Sequence, residues 1–308
     1  MLGGITPEVA TLDATIAETG SSISRSGNTV TLAADKRYLI FGCYYTQRTG
    51  SRTQRWSGIG EDGTFLRDAM ANTYIRDSNN DQQGEAFHTI IDTSGSSKDI
   101  DFRVYRGDDA GTTPSAGSAS VTGSAPVLTD LQLTVIELKS GCEVFRSIDN
   151  TAGQNIGASG NVTVNVARDQ LFADSASWSS STNTTYAAAV AMDAFIGSNV
   201  SGSYNTASGT RLTRRFSLTK NGTADETASV AKFGRGAQGS QNCYGMSGNP
   251  FGTFALALND TVGTLVQDIG ADPAVTTRAG WVGFWGINLD TMDIDGGGPV
   301  TRRFFSIA

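Results

Sequence analysis

The chain has little of what nucleophilic and metal-dependent enzymes commonly use. Its 308 residues include one histidine, His88, and three cysteines, Cys43, Cys142 and Cys243. A Ser-His-Asp or Cys-His site would have to use His88, and no serine lies in a Gly-x-Ser-x-Gly segment. The cysteines lack the spacing of zinc sites, and an odd number without an export signal predicts reduced, buried thiols. We therefore expect no enzyme activity and no cofactor.

Long apolar runs and an excess of positive charge are lacking as well. No run approaches the roughly 20 apolar residues of a membrane span, and the first residues resemble no export signal. Aspartate and glutamate number 30 against 23 lysines and arginines, which gives a net charge of −7. Nucleic-acid binding depends on neutralising phosphates with basic side chains. We therefore expect neither a membrane nor a nucleic acid as partner.

The abundant residues are those of short strands and turns, with 37 glycines and many serines, threonines and asparagines. Apolar and polar residues alternate in IDFRVY at 100–105, LQLTV at 131–135 and VTVNV at 162–166, which predicts half-buried strands. The dipeptides Asp62-Gly63 and Asn221-Gly222 predict tight hairpin turns. Only the segments 65–71 and 186–195 group strong helix formers. The fold class predicted is all-β.

The chain also repeats itself. SGNTVTLAAD at 26–35 resembles SGNVTVNVARD at 159–169, and RWS at 55–57 resembles RFS at 215–217. Segments 100–105 and 131–138 have counterparts at 265–269 and 281–289, in the same order. A unit this long indicates a duplicated domain, since solenoid repeats are about 20–50 residues long. We expect an N-terminal arm at 1–24, a first domain at 25–147 and a second at 148–308 with an insertion near 173–210.

Residues 28–45 resemble the opening of a tumour necrosis factor-like (complement-type) jelly roll. A short strand and a polar link lead to the strand that begins at Tyr38, and an arginine-bearing strand with its Asp-Gly turn follows at 55–64. Gly280 to Phe284 (GWVGF) resembles the family's closing strand. The resemblance implies two tandem jelly rolls and assembly as a homotrimer. It also implies a use as a module of virus or bacteriophage particles.

Three groups of residues are candidate sites. Asp290, Asp293 and Asp295 precede three glycines, and clustered carboxylates can bind calcium, although solvated turn acids are favoured. The aromatic residues Trp281, Phe284 and Trp285 are candidates for a core or a subunit interface, and less so for stacking on a sugar. Two Gly-x-Gly-x-x-Gly matches, at 58–63 and 234–239, are attributed to flexible turns because no strand–turn–helix unit surrounds them.

With what the resemblance implies, we expect a virion structural protein, a trimeric decoration or cement protein that binds the major capsid protein on the outside of a phage head. One alternative is a receptor- or glycan-binding tip that uses loop aromatics such as Tyr204 and Tyr244. Another is a double jelly-roll major capsid protein. A carbohydrate-active enzyme is the least favoured.

Overall fold

The computed structural model describes residues 8–10, 12, 14–18, 21–47, 53–75, 82–107, 127–151, 154–156, 160–204, 211–235, 244–269, 275–292 and 302–306. In these ranges the chain is all-β, with antiparallel strands in four sheets and a single 3-10 turn at Leu289–Thr291. Nowhere in the described ranges does it form an apolar helix of the length that a bilayer requires.

The first sandwich consists of two sheets. The first sheet contains, in spatial order, β3 (Ile23–Ser26), β4 (Thr29–Leu32), β9 (Lys98–Gly107), β6 (Thr53–Glu61) and β7 (Thr64–Ile75), with β1 (Glu8–Val9) also paired to β9. The second sheet contains β2 (Ala14–Glu18), β24 (Arg302–Ser306), β10 (Val127–Leu138), β5 (Arg37–Gln47) and β8 (Gln82–Asp92).

The second sandwich has the same plan. Its third sheet contains β14 (Asp169–Ala173), β11 (Val144–Ile148), β23 (Val275–Asn288), β17 (Met192–Tyr204) and β20 (Tyr244–Gly248), with β12 (Asn155–Ile156) beside β23 and β21 (Phe251–Leu256) beside β17. The fourth sheet contains β15 (Trp178–Thr182), β16 (Thr185–Ala188), β22 (Thr261–Asp268), β18 (Arg211–Lys220) and β19 (Thr223–Arg235), with β13 (Asn161–Thr163) beside β22.

The strand order defines two jelly rolls. From β4 to β10 the chain changes sheet at every connection except the β6–β7 hairpin. From β16 to β23 it changes sheet at every connection except the β18–β19 hairpin and the link between β20 and β21, which both pair with β17. Such alternation between two packed antiparallel sheets is the Greek-key winding of a jelly roll. The prediction of tandem all-β jelly rolls is confirmed.

Both predicted hairpin turns are present. The backbone φ angles are 47° at Asp62 and 81° at Gly63, and 51° at Asn221 and 77° at Gly222. Two consecutive positive φ angles characterise the two-residue turn whose twist matches that of the flanking strands. The helix-like segment 65–71 lies in β7, and the segment 186–195 consists of the end of β16, a bend and the start of β17, because pairing with neighbouring strands overrides their helix propensity.

Each sandwich encloses its own apolar core. In both, alternate residues of the central strands face inward, so period-two patterning places one set of side chains in the core and the other on the outer face. The first core includes Tyr38, Ile40, Phe87, Phe102 and Leu133. The second includes Phe145, Tyr186, Ile196, Phe216 and Phe284. Fully burying one such side chain contributes about 1.5–3 kcal/mol.

Strand pairing differs from the predicted domain boundaries at both ends of each sandwich. Residues 144–147, expected to close the first domain, belong to β11 in the third sheet. Within 1–24, expected as an arm, β1, β2 and the start of β3 pair with strands of the first sandwich. The C-terminal strand β24 also pairs there. Local alternation identifies a strand but not its partner, so sequence patterns could not place these segments.

The predicted insertion near 173–210 belongs to the common plan. It contains β15, β16 and β17, which occupy the positions that β3, β4 and β5 hold in the first sandwich. Three of the four matched repeats correspond in sheet position, namely β6 with β18, β9 with β22, and β10 with β23. The match of 26–35 with 159–169 does not, since β13 pairs with β22 at the position where β1 pairs with β9.

Candidate interaction site at the junction of the two sandwiches

The outer face of the third sheet is covered by the first sandwich, and strands β7 and β8 lie against β17, β20 and β23. In β17, Ile196 and Val200 face the second core, whereas Gly197 and Asn199 on the alternate positions face the junction. An apolar cluster joins the two sandwiches here. It consists of Leu39, Ile90 and Leu138 from the first and Cys142, Val144, Trp285 and Ile287 from the following segment and the second.

His88 lies at the centre of the junction and is almost completely buried. The indole N–H of Trp285 donates to its Nδ1 at 2.9 Å, so the ring proton sits on Nε2, which lies 3.3 Å from the carbonyl oxygen of Asn249. Burial disfavours the charged ring and lowers the pKa of His88 from 6.5 to about 4, although the bonds to backbone groups oppose this shift. A neutral ring with both nitrogens engaged serves as a structural link.

Trp281 forms a second aromatic contact across the junction. Its ring meets that of Trp56 edge to face, with centroids 5.1 Å apart, and Met70 and Phe65 pack around the pair. Trp281 and Trp285 are each at most 2% exposed within one chain. The interface that these two tryptophans form is therefore the one between the sandwiches.

Phe284 lies on the opposite face of β23, in the second core. Its ring is tilted against Phe145 with centroids 5.3 Å apart, and Tyr186 stacks on Phe145 at 4.0 Å. The parity of the strand explains the separation, because residues 281 and 285 share one face of the sheet and residue 284 has the other. Of the three aromatic interface candidates, Trp281 and Trp285 lie in separate clusters at the junction and Phe284 lies in the second core.

A buried ion pair crosses the junction. Arg146 of β11 donates from Nη2 to the carboxylate of Asp68 at 2.7 Å and from Nε at 3.2 Å, and its Nη1 donates to the carbonyl oxygen of Ile90 at 2.9 Å. The two charged side chains are only 7% and 9% exposed. Gly283 is required beside them, because a Cβ there would lie 2.4 Å from the backbone oxygen of Asp68.

Side-chain amides fix the edge of the first sandwich to the second. Asn199 donates from Nδ2 to the carbonyl oxygen of His88 at 2.6 Å, and Asn249 donates to that of Ala86 at 2.5 Å. These bonds satisfy backbone groups of β8 on the side that none of the described strands covers. Lys232 also pairs with the buried Glu85 across the junction.

The rim of the junction carries a partly exposed aromatic cluster. Phe41, Phe195 and Phe251, which we call the rim patch, have ring centroids 6.0–6.2 Å apart. Phe251 is 47% exposed, and it also contacts His88 edge to face at 5.5 Å. Partly exposed aromatic residues of this kind are enriched where proteins bind one another.

The other sequence candidates lie apart from the junction. The carboxylate of Asp290 accepts from the backbone N–H of Asp193 at 3.2 Å, whereas Asp293 and Asp295 lie outside the described residues. In the part of the chain that is described, no group of three potential metal ligands occurs. The glycine motif at 58–63 runs along β6 into a hairpin, and a strand follows it. The motif at 234–239 lies mostly outside the described residues.

Two of the three cysteines lie in described ranges. Cys142 is buried, and burial raises the pKa of its thiol to about 11, while Cys43 is exposed; neither forms a disulfide. The prediction of a reduced, buried thiol therefore holds for Cys142 and is wrong for the exposure of Cys43. Cys243 lies outside the described residues.

In the sequence, His88 stands out only as the histidine that a catalytic site would have to use, and nothing singles out Asp68. One signal was available for Arg146, which interrupts the apolar strand segment VFRSI at 144–148. A charge inside such a strand points to a buried partner, because an isolated buried charge is costly. No comparable local signal marked His88.

Comparisons with known proteins give structural likenesses only. No protein-family model matches the sequence, and no curated protein matches it. The globular domain of zebrafish complement 1qA protein is 12% identical over 47% of this chain and 94% of its own, with a TM-score of 0.29. Murine APRIL is 10% identical over 48% and 98%, with a TM-score of 0.31, and pika GITRL is 11% identical over 49% and 97%, with a TM-score of 0.28.

Proposed function

We propose that this protein is a virion structural protein, a homotrimer that decorates the exterior of a capsid and cements it by binding the major capsid protein. The observation that carries the proposal is the junction, where a buried ion pair, a neutral histidine and two tryptophans hold two jelly rolls together. Such a chain is suited to bearing load between neighbouring subunits. The sequence resemblance to jelly-roll modules of virus particles is the ground for proposing a location on the capsid.

The mechanism requires no bond chemistry. A protein that binds only the assembled shell stabilises it by mass action, in proportion to the logarithm of its concentration over its dissociation constant. Stable association of this kind buries more than about 1,000 Å². The net charge of −7 suits an exterior surface, because charge of one sign opposes nonspecific association.

The rim patch is the described surface that we assign to contact between subunits. We expect a solution mass of three chains by light scattering on a sizing column. Phe251→Asp should reduce the mass to that of one chain, because a carboxylate cannot be desolvated at such a contact. Leu258→Asp is the matched control, since Leu258 is 58% exposed in a turn away from the rim. A wild-type monomer would contradict the trimer, and an unchanged mass for Phe251→Asp would exclude the rim patch.

Location on the particle is tested separately. An antibody raised against the purified protein should label the outside of intact particles from cells that carry the gene. Removal of the protein should lower the temperature at which the shells open. Particles that lack the protein, or that bear it only at a tail tip, would contradict the decoration role.

A glycan-binding tip is the second candidate, and one observation favours it. Tyr204 and Tyr244, the two loop aromatics that the sequence indicated, are directly paired across β17 and β20. Cross-strand partners are neighbours in a sheet, and aromatic residues are the type that stacks on sugar rings. Binding to a glycan array that is lost in both Tyr204→Ala and Tyr244→Ala would favour this role over decoration.

A further inference from the structure

The C-terminal strand β24 completes a sheet that the rest of the first sandwich leaves open. It pairs with β10 from Gln132↔Ser306 to Ile136↔Arg302, and with β2 on its other side. Among the described strands, β2 has no other partner. The slot between β2 and β10 is therefore filled by a strand from the far end of the chain.

In the second sandwich, a strand from another part of the chain fills the equivalent position. Its β11 stands between β14 and β23, at the position that β24 holds between β2 and β10. Apart from β24, the last strand of the first sandwich is β10, and β11 follows it after the five residues 139–143. In the same way, β24 follows β23, the last strand of the second sandwich, so each jelly roll takes this strand from the segment that comes after the other.

The connections that lead to β11 and to β24 differ in length. The 3-10 turn at Leu289–Thr291 and the next residue end the described part of the second sandwich, and nine residues, 293–301, precede β24. Nine residues span at most about 30 Å. A connection of this length gives the strand it tethers an effective concentration on the order of millimolar. Only this effective concentration favours pairing of β24 within its own chain, because the slot of a second copy offers the same contacts.

We propose that β24 is an exchangeable strand, and that the slot between β2 and β10 accepts the β24 of a second copy of this chain. An unfilled slot exposes the backbone N–H and C=O groups of β10, and such edges bind another strand. The contacts made in the closed and the exchanged form are the same, so protein concentration during folding decides between them. The proposal does not depend on the virion role.

The test uses full-length chains and a disulfide between residues that are register partners. Paired Cα atoms of antiparallel strands lie about 4.5–5.5 Å apart, within the range that a disulfide spans. In a Cys43→Ser background, one chain carries Gln132→Cys and a second, with a longer tag, carries Ser306→Cys. A disulfide between the differently tagged chains forms only when β24 of one lies on β10 of the other.

We expect the linked heterodimer after the two chains are refolded together under oxidising conditions. Its yield should rise about tenfold for each tenfold increase in concentration below the effective concentration of the tether. The double variant, with both cysteines in one chain, should form its internal disulfide at high dilution. Ser180→Cys, at an exposed position of β15, replaces Gln132→Cys in the control mixture and should remain unlinked to Ser306→Cys.

Three results would overturn the proposal. If the double variant closes internally but no concentration yields the heterodimer, β24 pairs only within its own chain. If the double variant fails to close although it folds to the wild-type circular dichroism spectrum, β24 does not lie on β10 in this register. A heterodimer that forms equally well with Ser180→Cys would also count against exchange.

Discussion

His88 gives this protein a predictable response to acid. Its pKa is lowered from 6.5 to about 4, so between these values the unfolded chain binds a proton that the folded chain does not. Stability therefore rises with pH across this window, and it is lost as pH falls from about 6.5 toward 4. The full shift corresponds to about 3 kcal/mol, at about 1.4 kcal/mol per unit of pKa.

The change that isolates this effect is His88→Gln. Urea unfolding of both proteins at pH 7.5, 6 and 5 should show the wild type losing more stability than the variant, because His88 is the only histidine. Carboxylates that titrate at lower pH affect both proteins alike. Equal losses in the two proteins over this range would mean that the ring is not held neutral.

The buried pair of Arg146 and Asp68 should be sensitive to loss of one partner. Arg146→Met leaves a buried carboxylate without its cation, and we expect unfolding to cost about 3–5 kcal/mol less in urea titrations. Arg215→Met is the control, because Arg215 and Glu226 are 34% and 76% exposed and such pairs contribute about 0–1 kcal/mol.

A double variant separates charge from packing at this pair. Arg146→Met combined with Asp68→Leu removes both charges, and it should recover much of the loss, since apolar replacements of buried ion pairs are often tolerated. If the single variant costs no more than Arg215→Met, the pair is solvated and not part of a tight junction.

Metal removal provides a test of the carboxylates at 290, 293 and 295. We expect a chelator such as EDTA to leave the melting temperature unchanged, because the carboxylate of Asp290 already accepts a hydrogen bond from the backbone N–H of Asp193 in β17. A large decrease that calcium alone reverses would establish a metal site involving Asp293 and Asp295.

The hairpin turns are the elements where sequence determines conformation most directly. Gly63 and Gly222 have φ angles of 81° and 77°, and nothing lies within 4 Å of the Cβ that an alanine would add. Alanine at either position should therefore lower the free energy of unfolding by about 1 kcal/mol for conformational reasons alone. Thr64→Ala and Thr223→Ala, at exposed neighbouring positions, should change it less. Neutral glycine substitutions would contradict the turn geometry.

Elements with a local signature were predictable, and those chosen by distant partners were not. The dipeptides Asp62-Gly63 and Asn221-Gly222 correctly predicted two hairpin turns, because few residues tolerate two positive φ angles in succession. Residues 65–71 gave a helical signal that the pairing of β7 with β6 overrides. β24 has ordinary strand residues, and only its partners β2 and β10, far away in the sequence, place it in the first sandwich.

At the scale of the molecule, composition predicted the fold class but only part of the junction. The apolar strand around Trp281 and Trp285 indicated an interface, yet the strand register decides that they face the first sandwich while Phe284 faces the core. Their partners could not be inferred from local patterns. His88 lies 197 positions from Trp285 in the sequence, and Asp68 lies 78 positions from Arg146. Sequence patterns describe faces of strands, and the junction depends on how two sandwiches meet.

The junction and β24 together should make the two jelly rolls unfold as one unit. We expect calorimetry of the wild type to show one transition, with equal calorimetric and van't Hoff enthalpies. Gly283→Ala should split it into two, because the added Cβ meets the backbone oxygen of Asp68 at 2.4 Å and forces the sandwiches apart. Ser179→Ala, at an exposed position of β15, should leave a single transition. Two transitions in the wild type would mean that each jelly roll is stable by itself. The contacts of the junction would then couple the unfolding of the two jelly rolls only weakly.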